Sequence, residues 1–219
     1  MAWADAFGPG TSIYTMKTGD ATASVIATAV SGAIGLVASK DRVAWSMPAP
    51  NPQIFTWAVG DSKPTTVTST AGAAIFPTIS GDRIVWQDSS KAFTWKAGAS
   101  QPTTVCTFQP MMNPAVSGDR VCWVGANASP PRVYVWDAGD SQPSPVSPSD
   151  MMIAPYSDVS GDRVVWAGLG ADGTQVYVAA ASHSVKYLSQ GQGWVLGETS
   201  QTVAYAATST MVGAIAAPG

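Results

Sequence analysis

Three features of the 219-residue chain predict an all-β fold assembled from repeated four-stranded sheets. Strand and turn formers dominate the composition, one short motif recurs at a nearly fixed spacing, and each copy is followed by the same succession of alternating runs. Gly, Pro, Ser, Thr, Ala and Val are plentiful and there are nine Trp, against four Leu and the single Glu198. Apart from Ala, good helix formers are nearly missing. Charged residues make up 11%, less than half the roughly 25% of ordinary soluble domains. No long amphipathic helix can be written from such a chain.

The motif is Ser80-Gly81-Asp82-Arg83-Ile84-Val85-Trp86. It returns as Ser117 to Trp123 and as Ser160 to Trp166, more weakly as Ser39-Lys40-Asp41-Arg42-Val43-Ala44-Trp45, and in degenerate form as Ser200 to Tyr205 and Met1-Ala2-Trp3. The aromatic positions 3, 45, 86, 123, 166 and 205 step by 42, 41, 37, 43 and 39 residues. A period near 40 in a strand-rich chain is the length of a propeller blade. The fold expected is therefore a β-propeller forming one domain over residues 1–219.

Each blade element follows in order. Ser-Gly-Asp supplies a residue tolerant of positive φ and an Asx-type cap, as a tight hairpin between the first two strands demands. The Trp closes the second strand. A third strand carries a paired aromatic, as in Ile54-Phe55-Thr56-Trp57, Ala92-Phe93-Thr94-Trp95 and Val133-Tyr134-Val135-Trp136. A Gly turn leads to a short fourth run such as Thr65-Thr66-Val67 or Thr103-Thr104-Val105. The first strand of the next unit is then read in runs such as Ile75-Phe76-Pro77-Thr78-Ile79. Residues 19–39 align without gaps on 60–80. Burying one Trp removes about 150–250 Å² from water, roughly 4–6 kcal/mol gross at ~25 cal/mol/Å². An exposed Asp–Arg pair contributes about 1 kcal/mol at most, so the aromatic layers are expected to hold the blades while Asp and Arg set the turns.

Both ends fall inside a repeat. Ile215-Ala216-Ala217-Pro218-Gly219 followed by Met1-Ala2-Trp3 reads like one inner hairpin. The C-terminal strand is therefore expected to supply the inner strand of the first blade, which would close six blades with the last one incomplete. Closure by residues 194–198 would give five. The motif resembles the Ser-Gly-Asp-Arg-Val-Val-Trp β-propeller repeats of archaeal and bacterial surface proteins, akin to WD-repeat-like propellers. The resemblance covers nearly the whole chain, most strongly residues 34–170, and implies an extracellular or cell-surface binding module. The motif itself specifies architecture, not activity.

Charge and composition narrow the partners. Net charge is −3 with no basic cluster, so a phosphate-tracking surface, and with it nucleic acid, is not expected. No apolar run approaches the roughly 18 residues of a spanning helix, and no signal peptide is visible at the start. Cys106 and Cys122 make neither a disulfide framework nor a zinc pattern and read as buried thiols. No cofactor is expected: Gly168-Leu169-Gly170-Ala171-Asp172-Gly173 matches a dinucleotide fingerprint in letters, yet joins two strands with no helix to receive a pyrophosphate. A calcium ring of Asp41, Asp82, Asp119 and Asp162 is not expected either, because each belongs to its own blade and a hard cation needs about six to eight converging oxygens. His183 is the sole histidine, placed in a turn, and no Gly-x-Ser-x-Gly elbow occurs.

Binding surfaces are the better prospect. The loops that differ most between repeats are those on one face, including Val124 to Asn127 and the connectors Thr107 to Asn113 and Ser149 to Met152. Candidate ligand contacts are Phe108, Met111, Met112, Asn127, Met151, Met152 and Trp194. The two Met-Met pairs, taken as equivalent, could make an adaptable apolar patch, although filling gaps in the core is the stronger reading for them. Asn127-Ala128-Ser129 also matches a glycosylation acceptor. The function expected is a non-enzymatic module at a cell or virion surface that binds a protein or glycan through its face loops. A carbohydrate-binding lectin is the second reading, and a propeller-scaffold hydrolase or lyase using His183 the third. An incomplete last blade would also leave an edge for a partner strand.

Overall fold

The computed structural model describes residues 1–4, 12–28, 30, 32–47, 52–68, 75–88, 91–107, 111–125, 129–170 and 173–179. Beyond these it describes only the backbone of the strands at 185–190, 194–198, 201–204 and 213–216, and within the described spans the side chains of 75, 76, 112, 170 and 173 are left aside. Every regular element among them is a β-strand. The chain divides into two compact units, Met1–Phe108 and Gln109–Gly219.

In the first unit, β1 (Ala2–Ala4), β2 (Ile13–Thr15) and β3 (Ser24–Ala27) form a three-stranded sheet in that order. The second sheet is β4 (Ile34–Ser39), β5 (Arg42–Met47), β6 (Gln53–Ala58) and β7 (Thr65–Thr66), and the third is β8 (Ile75–Ser80), β9 (Arg83–Gln87), β10 (Ala92–Lys96) and β11 (Thr103–Cys106). In the second unit the fourth sheet is β12 (Met111–Ser117), β13 (Arg120–Gly125), β14 (Arg132–Asp137) and β15 (Ser144–Pro145). The fifth is β16 (Met152–Ser160), β17 (Arg163–Gly170), β18 (Gly173–Ala179) and β19 (Val185–Gln190). All of these are antiparallel meanders, so the four-stranded repeat read from the sequence is the observed unit.

The sixth sheet departs from expectation. Its order is β21 (Gln201–Ala204), β20 (Trp194–Glu198), β22 (Gly213–Ala216), and β22 runs parallel to β20 with Leu196 opposite Ile215. The final strand thus does not join β1, and the first sheet keeps three strands. The free edge of β20 lies closer along the chain than β1 does, and a shorter loop costs less closure entropy.

One contact recurs through five sheets. Trp3–Tyr14, Trp45–Phe55, Trp86–Phe93, Trp123–Tyr134 and Trp166–Tyr177 sit directly opposite each other on the second and third strands. Their rings stack with centroids 5.7–5.9 Å apart and planes within 13–20°. Trp45, Trp86, Trp123 and Trp166 are each at most 1% exposed. Trp45 is buried among Ile13 and Ile26 of the first sheet, Trp86 among Ala44, Ile54 and Val67 of the second, and Trp166 among Cys122, Val124 and Val133 of the fourth. Each of these three packs its sheet face to face on the preceding one.

The Ser-Gly-Asp-Arg motif does more than turn the chain. Ser39 Oγ accepts the amide of Gly81 at 2.8 Å, and Ser117 Oγ accepts that of Gly161 at 3.0 Å, so the serine ending one inner strand holds the turn of the next sheet. Arg42 Nε reaches Asp82 Oδ1 at 3.4 Å, again in the next sheet. Arg120 donates to both carboxylate oxygens of Asp137 at 2.7 and 2.8 Å. In the turns, Gly81, Gly118 and Gly161 take φ of 55–57°, and Lys40 in the weaker copy is forced to 51°. Pro77, Pro114 and Pro155 interrupt the inner strands at register shifts in β8, β12 and β16, where a missing N–H breaks no ladder bond.

Two outcomes follow. Trp123→Ala should cost about 3–5 kcal/mol in denaturant titration, the range for a large aromatic removed from a core. Lys40→Gly should stabilise by about 1 kcal/mol, because it removes a left-handed non-glycine residue from a hairpin turn; unchanged or lower stability would refute the assignment of strain to Lys40.

Candidate functional site

Among the described residues, three large apolar side chains that face solvent fall on the fifth sheet: Met152, Tyr156 and Leu169. The hairpin of its second and third strands is longer than that of the fourth sheet: β17 continues to Gly170, and β17 and β18 pair as far as Gly170 opposite Gly173. The Gly168–Gly173 segment therefore links two antiparallel strands, as expected of a hairpin. Met152 lies directly opposite Leu169, which puts both side chains on one face. They are 62% and 53% exposed, and Tyr156 on the same strand is 53% exposed.

The register corrects the equivalence expected of the two methionine pairs. Met111 is opposite Gly125, whereas Ile153 is opposite Gly168; Met151-Met152 therefore precede the position that Met111 occupies. Met111 is 2% exposed and Met151 packs half-buried against the core between the fourth and fifth sheets, while Met152 is left in solvent. A Cβ on Gly168 would lie 2.8 Å from the Met151 sulfur and 3.1 Å from Tyr177, so the glycine makes room for both. Gly125 makes the same room for Tyr134. Trp-x-Gly in these two repeats was the available signal for a ring lying over the backbone.

Beside this end, Cys122 and Ser157 approach at 3.8 Å between Sγ and Oγ. Burial pushes the Cys122 thiol up to about 12, with Ser157 drawing it slightly back. A thiol held protonated at neutral pH is neither nucleophile nor metal ligand. Asp158 is also pushed up by burial, offset in part by the Val159 amide that it accepts at 2.8 Å. Cys106 is likewise buried and in no disulfide.

In the first unit, a groove of about 560 Å³ runs between the first and second sheets. The first sheet lines it with Ile26 and Val30 beside Thr28, and the second with Trp45, Met47, Phe55 and the Ser62-Lys63 turn. Sequence reasoning missed it, because the groove is made by departures from the repeat, not by the motif.

The remaining candidates are dispersed. Asp41 and Asp119 accept backbone amides of their own sheets through their carbonyls, while Asp82 also meets Arg42. Among the described residues no three His, Cys, Asp or Glu side chains come together, and no helix is long and apolar enough to cross a membrane. Trp194 stands in β20 and Met112 in β12, each described in its backbone alone. Phe108, Asn127 and His183 lie outside the described residues.

Two measurements check this chemistry. Ellman's reagent at pH 8 should label neither Cys106 nor Cys122 until the chain is unfolded; rapid labelling of the native protein would contradict their burial. Because the folded Cys122 value exceeds the unfolded one, its contribution to stability is complete below pH 9 and is lost toward about 12. Asp158→Asn should leave stability at pH 7 equal or higher, with the gap closing as acid protonates Asp158 in the parent, since the raised carboxyl opposes folding only when charged.

No family model matches the chain, and no curated protein matches it. Solved structures do. A Mycobacterium tuberculosis puromycin-hydrolyzing peptidase is similar at a TM-score of 0.56 and 16% identity, over 82% of this chain and 33% of that one. The β-propeller domain of the Trilobed protease from Pyrococcus furiosus is similar at a TM-score of 0.58 and 11% identity, over 89% of this chain and 68% of that one. TolB from Acinetobacter baumannii is similar at a TM-score of 0.53 and 11% identity, over 89% and 56%. The chain thus spans about a third of the peptidase and little more than half of TolB. At such identities the likeness concerns architecture alone, and with the antiparallel meanders described above it makes this fold an all-β propeller.

Proposed function

We propose that this chain is a non-enzymatic binding module that recognises a protein partner through the apolar end of its fifth sheet, and that it works at a cell or virion surface. The observation that carries this reading is the Met152–Leu169 pair, two large apolar side chains facing solvent on adjoining strands. Three of the exposed large apolar side chains among the described residues, Met152, Tyr156 and Leu169, gather on this one sheet, and contiguous exposure of this kind is what an interaction site looks like. Methionine adapts its shape to a partner at little cost. The likeness of the repeat to Ser-Gly-Asp-Arg-Val-Val-Trp repeats of surface proteins and the sparse charge support the setting.

A glycan partner fits less well. Sugars stack on exposed aromatic faces, but Trp45, Trp86, Trp123 and Trp166 are all buried, which leaves Tyr156 as the exposed aromatic beside Met152 and Leu169. Against catalysis by a thiol stands Cys122, which burial holds protonated at neutral pH.

Wild type and a Met152→Glu/Leu169→Glu double variant should melt alike, within about 0.5 kcal/mol, because both sites are exposed. From cells that make it, the wild type should retain a protein that the double variant retains at least about tenfold less well, as for the centre of an interface. A glycan-array signal equal in the two proteins, or retention unaffected by the charges, would overturn the proposal.

A further inference from the structure

The groove belongs to the first unit and the partner surface to the second, and their chemistry differs. The gapless match of 19–39 on 60–80 shows how it arises. In the second sheet the outer run carries Thr66 and Thr68, and Thr68 Oγ1 accepts the Ile54 amide at 3.3 Å. The first sheet has Val25 and Ala27 at those places, so hydroxyls give way to an apolar wall; Val25 is 52% exposed there. On the opposite side, the turn that reads Ser-Gln-Pro at 100–102 and 141–143 reads Ser62-Lys63-Pro64 beside the groove. A cation therefore joins a lining of mostly apolar side chains with the hydroxyls of Thr28 and Ser62, and no carboxylate is among them. Among the described residues no carboxylate lies within ion-pair distance of Lys63.

We infer that this groove binds a small amphipathic monocarboxylate, its aliphatic or aromatic body between Val25, Ile26 and Met47 and its carboxylate on the Lys63 ammonium. The free volume of about 560 Å³ lies within the range of about 300–1,000 Å³ typical of small-molecule sites. The lining chemistry selects against the alternatives. A sugar would need amide or carboxylate partners that the walls lack, and a phosphate would need several cations or a nest of amides. One ammonium matches one carboxylate, and the apolar walls supply the remaining affinity through area removed from water.

The test uses the full chain labelled with 13C at the methionine methyls, the Met47 resonance being assigned by its loss in Met47→Leu. Decanoate, below its aggregation concentration at pH 7, should shift the Met47 methyl saturably and bind more tightly than decan-1-ol. Lys63→Met, on an exposed turn, should weaken decanoate about fivefold, the order of one partly screened ion pair, while decan-1-ol binding holds. The Met152→Glu/Leu169→Glu variant should bind decanoate as the parent does, which separates this inference from the partner surface. No saturable shift, equal affinity for acid and alcohol, or undiminished decanoate binding in Lys63→Met would each overturn it.

Discussion

The stacked pair of a Trp on the second strand and an aromatic on the third is the contact on which the rest of the architecture depends. It is local in sequence, so each sheet can form it before any neighbour is present. It is also too large to leave in water: a lone sheet with a Trp on its face would expose the ring that the preceding sheet covers in the folded chain. Burying Trp45 under Ile13 and Ile26, or Trp86 under Ile54 and Val67, thus couples the stability of one repeat to the presence of the one before it. This is the nearest-neighbour coupling of repeat proteins in general, here carried by one residue type.

Polar groups then fix what the rings leave loose. A face-to-face contact between two apolar surfaces tolerates sliding, whereas the bonds from Gly81 to Ser39 and from Gly161 to Ser117 allow only one offset. The same tetrapeptide shapes its own hairpin through a left-handed glycine and sets the register of its neighbour through a serine hydroxyl. Position 40 shows the two roles coming apart. Ser39 keeps the tie to the next sheet, yet Lys40 stands where the turn needs glycine, and the backbone there adopts φ of 51° regardless. Tertiary context overrides local preference at that residue.

Most of the scaffold could be read from the sequence for this reason. Motif, aromatic spacing and Gly turns are physically redundant statements of the same unit, and they located the strands of four-stranded sheets two to five. What escaped were features with no copy elsewhere. The offset of Met151-Met152 from Met111 depends on a longer hairpin in the fifth sheet, invisible until register is known. The pairing of β22 with β20 follows from chain proximity, while the sequence resemblance of the two ends pointed to β1. The groove comes from Val25, Ala27 and Lys63, three substitutions unremarkable singly and meaningful only once placed on facing walls.

A repeated scaffold separates stability from recognition in a way that the two surfaces here illustrate. The rings and serine ties lie between sheets, so the ends of hairpins and the outer strands carry little of the folding energy and can vary. In the fifth sheet variation takes the form of a lengthened hairpin that lifts Met152 and Leu169 into solvent without disturbing Trp166, which stays 1% exposed beneath them. In the first unit it takes the form of a hydroxyl lost from the outer run of the first sheet and a cation gained on a turn of the second, beside a Trp45 that is equally enclosed. None of these changes alters the ring pair that holds its sheet: the stacking distances are 5.7 Å in the first sheet and 5.9 Å in the second and the fifth. The constancy of that distance under such different surroundings is the physical reason that new surface chemistry can be added to one repeat without cost to its neighbours.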